Sequence, residues 1–87
     1  MTSKKVTISI PSGLEARPIA LLVQMASKYD NCKIYFETED KRINAKSIMG
    51  MMSLGLGSGD VITVVTEGED EEGACAHIAG YLAGEDE

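Results

Sequence analysis

The stretch Lys33-Ile34-Tyr35-Phe36-Glu37-Thr38-Glu39-Asp40-Lys41-Arg42-Ile43-Asn44-Ala45 is the one on which the fold turns. Ile34 and Phe36 share one face of an extended segment from Lys33 to Glu37, the alternation of a half-buried strand. Thr38 to Lys41 is a polar turn, and Arg42 to Ala45 starts the return strand. On both sides of this pair the apolar period changes from that of a strand to that of a helix. Upstream, Ile19, Leu22, Val23 and Ala26 fall on one face of a helix expected from Ala16 to Tyr29, with Gln24 and Lys28 opposite. Leu21 falls on the Gln24/Lys28 side and is expected at the surface. Pro18 does not break this helix, because a proline in the first turn removes an N–H that has no helical partner anyway.

Further out, Val6, Ile8 and Ile10 alternate with Thr7 and Ser9 as a strand, closed by Pro11-Ser12-Gly13. Downstream of the pair, Ser47 to Ser53 is a short helix, ended by Gly55 and the Gly57-Ser58-Gly59-Asp60 loop. Val61, Ile62, Val64 and Val65 form a β-branched strand. A last helix is expected from Glu69 to Leu82, its acidic first turn matching the positive end of the helix dipole, with Ala74, Ile78, Tyr81 and Leu82 as its apolar stripe. The order is β-α-β-β-α-β-α. In so short a chain this implies an α+β fold of two layers: one antiparallel or mixed sheet with the helices stacked on one face, in a single domain over residues 1–87.

The bulk composition narrows the function. At 87 residues there is room for one core, and with only 5% aromatics that core is built from Ile, Leu, Val, Met and Ala. Cys32 and Cys75 are far apart and few, as expected of reduced thiols in the cytoplasm. The N-terminal residues show no signal-peptide pattern, and no apolar run approaches the ~20 residues of a membrane span. A net charge of −6 argues against non-specific nucleic-acid binding. Most of the acid sits in the last quarter, at Glu67, Glu69, Asp70, Glu71, Glu72 and Glu85 to Glu87, as a solvated surface and tail. No metal-ligand cluster is present in the sequence and no cofactor is expected. His77, the only histidine, is expected on the surface of the last helix.

The short second helix does not add up as core. Ile48, Met49, Met51, Met52 and Leu54 point nearly all around its axis, whereas a helix lying on a sheet buries one face. Ile48 and Met52, four apart, stand on the same side. One or two of these residues must look outward, and an exposed Ile/Met patch on a small protein marks a contact surface that adapts to more than one partner. Ser47 opens this helix, preceded by Lys46. As a helix N-cap it needs no further role. It is also where a phosphoryl group would be accommodated best, facing free N–H groups at the positive helix end.

The segments Ser12-Gly13-Leu14-Glu15-Ala16-Arg17-Pro18 and Asn44-Ala45-Lys46-Ser47-Ile48-Met49-Gly50-Met51-Met52-Ser53-Leu54 closely resemble the two signature segments of HPr, the histidine phosphocarrier family of the bacterial sugar phosphotransferase system. Leu22 to Asp30 is similar to the first helix of Gram-positive members. The resemblance covers essentially the whole chain. It implies an open-faced sandwich, a four-stranded antiparallel sheet under three helices, and a protein that accepts phosphoryl groups without catalytic turnover of its own. It further implies that Ser47 is phosphorylated by an HPr kinase/phosphorylase and that the product binds a catabolite-control repressor. Ser12, Arg17 and Lys46 would then contact phosphate or partner, and Leu21, Ile48, Met49 and Met52 would form the docking patch.

The chain departs from the family at Glu15, which stands where the family has its phosphorylated histidine. In this it is similar to the histidine-lacking catabolite-repression HPr-like (Crh) type, which has Gln at that place. Relay chemistry needs a nucleophile that is neutral near pH 7, as imidazole is with a pKa near 6.5. A glutamate, with a pKa near 4.3, is ionised, is a poorer nucleophile and repels an incoming phosphoryl donor. Three roles stay open for Glu15: a charge at the start of the first helix, an imitation of phosphohistidine for a partner, or an acyl-phosphate acceptor in a relay with phosphotransferase-system enzymes. The Thr38–Lys41 turn is also one residue longer than is usual in the family and lacks its glycine.

Overall fold

A computed structural model describes residues 1–10, 16–55 and 57–84. The elements follow the order expected from the sequence: β1 (Thr2–Thr7), α1 (Ala16–Ser27), β2 (Cys32–Glu37), β3 (Arg42–Asn44), α2 (Ile48–Met52), β4 (Val61–Gly68) and α3 (Glu71–Leu82). The four strands make one sheet in the order β1-β4-β2-β3, and every pairing is antiparallel. Val6 sits opposite Ile62, and Phe36 lies between Val64 and Ile43.

One sheet face carries Val6, Ile34, Phe36, Ile62 and Val64, all buried together with Ile19, Leu22 and Ala26 of α1, Met51 of α2, and Ala74, Ile78 and Leu82 of α3. The helices therefore lie on this face, and the result is the open-faced two-layer sandwich. On the other face, Lys5, Lys33 and Glu67 point outward, as the strand period requires. Val65 is on that open face and is nonetheless buried, because β4 is an interior strand and the register flanks it with Ser3 and Tyr35.

The element ends are set by bonds the sequence does not show. β1 starts at Thr2, and after Thr7 the chain leaves the ladder. Ile8 N–H donates to Asp60 O (2.8 Å) and Ser9 N–H to Leu82 O (2.8 Å), which keeps Ile8 buried. α1 ends at Ser27, two residues before the expected Tyr29, and the chain tightens there through bonds from Lys28 N–H to Met25 O and Tyr29 N–H to Ala26 O. α3 starts at Glu71 and not at Glu69, because Asp70 takes a left-handed conformation (φ 55°) and Glu69 N–H is used on Asn31 O (3.1 Å).

The acid in the first turn of α3 is structural. Glu71 accepts bonds from Thr2 Oγ1 (2.6 Å) and Gly68 N–H (3.1 Å) and pairs with the Met1 ammonium (2.9 Å). These partners, the Thr2 hydroxyl foremost, hold its carboxyl down at about 2. Gly68 itself has φ +130°, and a Cβ there would run into the main-chain oxygen of Asn31.

Both cysteines are free and buried, and burial pushes the Cys75 thiol up, away from reactivity. His77 corrects an expectation. It is half-buried, with Nδ1 hydrogen-bonded to the Tyr29 hydroxyl at 3.0 Å, because α3 presents it to the end of α1. Among the described residues no helix is long and apolar enough to cross a membrane.

Candidate functional site

Ser47 occupies the N-cap of α2. Its backbone is extended (φ −106°, ψ 112°), and its Oγ accepts a bond from Gly50 N–H (3.2 Å). The hydroxyl is exposed. Ser53 closes the other end, donating from Oγ to Gly50 O (2.6 Å), and Lys41 Nζ caps the helix by donating to Ser53 O (3.3 Å). Gly50 has no room for a side chain. A Cβ would stand 2.9 Å from Ile43 Cγ2 and 3.3 Å from Ser47 Oγ, so the glycine is what lets α2 lie close on β3.

The surface around Ser47 is apolar. Only Met51 of this helix enters the core. Ile48 is 50% exposed, Met49 84% and Met52 56%. A five-residue helix displaying three large apolar side chains while burying one is not explained by its own packing. α1 packs directly against α2, and it adds exposed Leu21 (43%) and exposed Arg17. The structure thus brings Arg17, Leu21, Ser47, Ile48, Met49 and Met52 onto two adjoining helices. Ser12 and Glu15 lie outside the described residues.

Lys46 makes contacts that its place beside Ser47 does not reveal. Its ammonium is half-buried and donates to Tyr29 O (2.8 Å) and Cys32 O (2.9 Å), at the end of α1 and the start of β2. Two of its N–H groups are thereby engaged with main-chain carbonyls. Tyr29 and Asn44 are the site residues that sequence reasoning missed. Asn44 Oδ1 accepts a bond from Lys46 N–H (2.8 Å), and Asn44 O accepts one from Ser47 N–H (3.0 Å). Asparagine three residues ahead of a helix N-cap is a readable cue for such a turn. The Tyr29 contact spans 17 residues and has no local cue.

The arrangement offers an accessible hydroxyl at a helix start, ringed by apolar contacts, with no general base bonded to it among the described residues. Residues 2–84 match the family model described as the PTS HPr component phosphorylation site. The chain belongs to the HPr family of the phosphotransferase system. It is similar to the HPr-like protein Crh of Halalkalibacterium halodurans, 45% identical over 82 residues that cover 94% of this chain and 96% of that protein. It is 42% identical to the HPr-like protein Crh of Bacillus subtilis, over 94% of this chain and 95% of that one. The crystal structure of a phosphocarrier protein HPr from Bacillus anthracis superposes with a TM-score of 0.88 at 47% identity, covering 93% of this chain and 95% of the other.

Proposed function

We propose that this protein is a regulatory phosphoacceptor of the cytoplasm. Ser47 Oγ takes the γ-phosphoryl group of ATP on an HPr kinase/phosphorylase, and the modified surface then docks on a catabolite-control repressor. The observation that carries this reading is the pairing of an exposed N-cap hydroxyl at Ser47 with exposed Ile48, Met49 and Met52 on the same short helix. Similarity to proteins named HPr-like protein Crh supports it. The phosphate would add about −1.5 to −2 of charge at a helix start, where the first-turn N–H groups favour it, so the fold persists and the surface changes. Leu21 and Arg17 widen the docking patch, Arg17 supplying a cation to an acidic partner. Docking needs no cofactor and no catalysis by this chain, and Glu15 carries no phosphoryl group in this reading.

The test is incubation with the kinase and ATP, followed by intact-mass measurement, with Ser47→Ala as control. One added phosphate on the wild type and none on the variant is expected. An unchanged wild-type mass overturns the proposal.

A further inference from the structure

Among the described residues, the lysine next to Ser47 is the most constrained cation near the site. Its ammonium reaches back across the molecule to two main-chain carbonyls, Tyr29 O and Cys32 O, where the end of α1 meets the start of β2. A cation there complements the negative end of the α1 dipole. The anchor is itself fixed, since the Tyr29 hydroxyl is bonded to His77 on α3 and Cys32 is buried in the core. On its other side, Lys46 is held by Asn44 Oδ1 through its N–H, and the neighbouring Ala45 is fully buried with its N–H on Ile34 O (2.9 Å). The residue that leads into the Ser47 cap is therefore bonded at both its main chain and its side chain. The cleft that Lys46 borders is lined by Asp30 and Glu67 as well as by Lys33, so its charges balance and it offers no net positive field to a phosphate dianion.

We infer that Lys46 is the positioning residue of Ser47: clamped on Tyr29 O and Cys32 O, it fixes the segment that presents the Ser47 hydroxyl, and it does not bind the phosphate. This rests on Ser47 being the phosphoacceptor proposed above. A nucleophile displaced by ~1 Å can cost up to about a hundredfold in rate, so a clamp one residue away governs phosphorylation without touching the reacting atoms.

The experiment compares the wild type with Lys46→Gln, Lys46→Arg and Lys5→Gln, the last removing the same charge from an exposed side chain on the open sheet face. Steady-state phosphorylation of Ser47, hydrogen exchange at the Gly50 amide, and the 31P titration of the phosphorylated forms are measured. For Lys46→Gln, kcat falls roughly ten- to hundredfold with KM unchanged. The Gly50 amide exchanges faster, and the phosphoserine titration stays where it is in the wild type. Lys46→Arg, which can still donate to two carbonyls, restores most of the rate, and Lys5→Gln matches the wild type.

A wild-type kcat with unchanged Gly50 protection in Lys46→Gln overturns the inference. So does a rise in KM alone, which marks a direct kinase contact, or an upward shift of the phosphoserine titration, which marks a phosphate contact. If the wild type accepts no phosphate, the Ser47 reading fails by itself, and Gly50 exchange in the unmodified chain still decides the clamp. Should Lys46→Gln not fold, Lys46→Met removes the ammonium and keeps the aliphatic stem. A kcat-selective fall is then expected, and a wild-type kcat there overturns the clamp.

Discussion

Replacing Gly50 with alanine sets two effects of opposite sign against each other at the helix that carries Ser47. An alanine inside a helix is favoured over glycine by about 0.8–1.0 kcal/mol, through the backbone entropy glycine loses. Gly50 is in α2 and has no positive φ, so that gain is available in principle. Against it stands the space. The new Cβ would lie 2.9 Å from Ile43 Cγ2, and Ile43 is a partly buried, β-branched residue of β3 that packs on the core. Overpacking of this kind typically costs about 1–3 kcal/mol. The second contact, 3.3 Å to Ser47 Oγ, strains the cap bond that the Gly50 N–H itself makes.

The crowding wins, and Gly50→Ala is expected to destabilise the fold by about 1 kcal/mol net. In a thermal melt that is a fall in Tm of about 4–8 °C for a domain of this size. Removing Cγ2 tests the cause. In an Ile43→Ala background, Gly50→Ala should become stabilising by the alanine gain alone, giving a coupling of about 1–3 kcal/mol in the double-mutant cycle. Urea denaturation of the four proteins supplies the cycle. A Gly50→Ala protein more stable than the wild type in the Ile43 background would show that α2 shifts off β3 without cost, and the account of this glycine would be wrong.

Glu71→Gln should reveal the acid limb of stability. The folded carboxyl titrates at about 2 against an ordinary value near 4.3, so its contribution is complete above ~4.3 and is lost as pH falls toward 2. Wild type should therefore be more stable than the variant at neutral pH and converge on it near pH 2, and parallel pH profiles would contradict this. Gly68→Ala, which places a Cβ against the Asn31 main-chain oxygen at φ +130°, should cost on the order of 1–3 kcal/mol in chemical denaturation. Met49→Ser, at the most exposed residue of the apolar patch, should leave stability within ~0.5 kcal/mol while weakening repressor binding of the phosphorylated protein in calorimetry. With phosphoenolpyruvate and the first enzyme of the relay, no label should appear; a hydroxylamine-labile adduct lost in Glu15→Gln would establish the relay reading instead.

The sequence by itself determined the elements and their faces, because alternation and the helical wheel are local properties. Ile34 and Phe36 on one side of β2, Leu21 outside α1, and too many apolar residues on α2 for one buried face all follow from periods of two and 3.6. The tertiary structure decided what depends on neighbours distant in the chain. It placed β4 between β1 and β2, which buries Val65 on the open face, and it sent Met51 inward while Ile48, Met49 and Met52 stayed out. It also turned apparent surface charge into structure: Glu71 knots the end of β4 to the start of β1. Lys46 grips Tyr29 and Cys32, and His77 meets Tyr29. A hydrogen bond needs two groups within about 3 Å at the right angle, and only the folded chain specifies that for residues 14 to 69 positions apart.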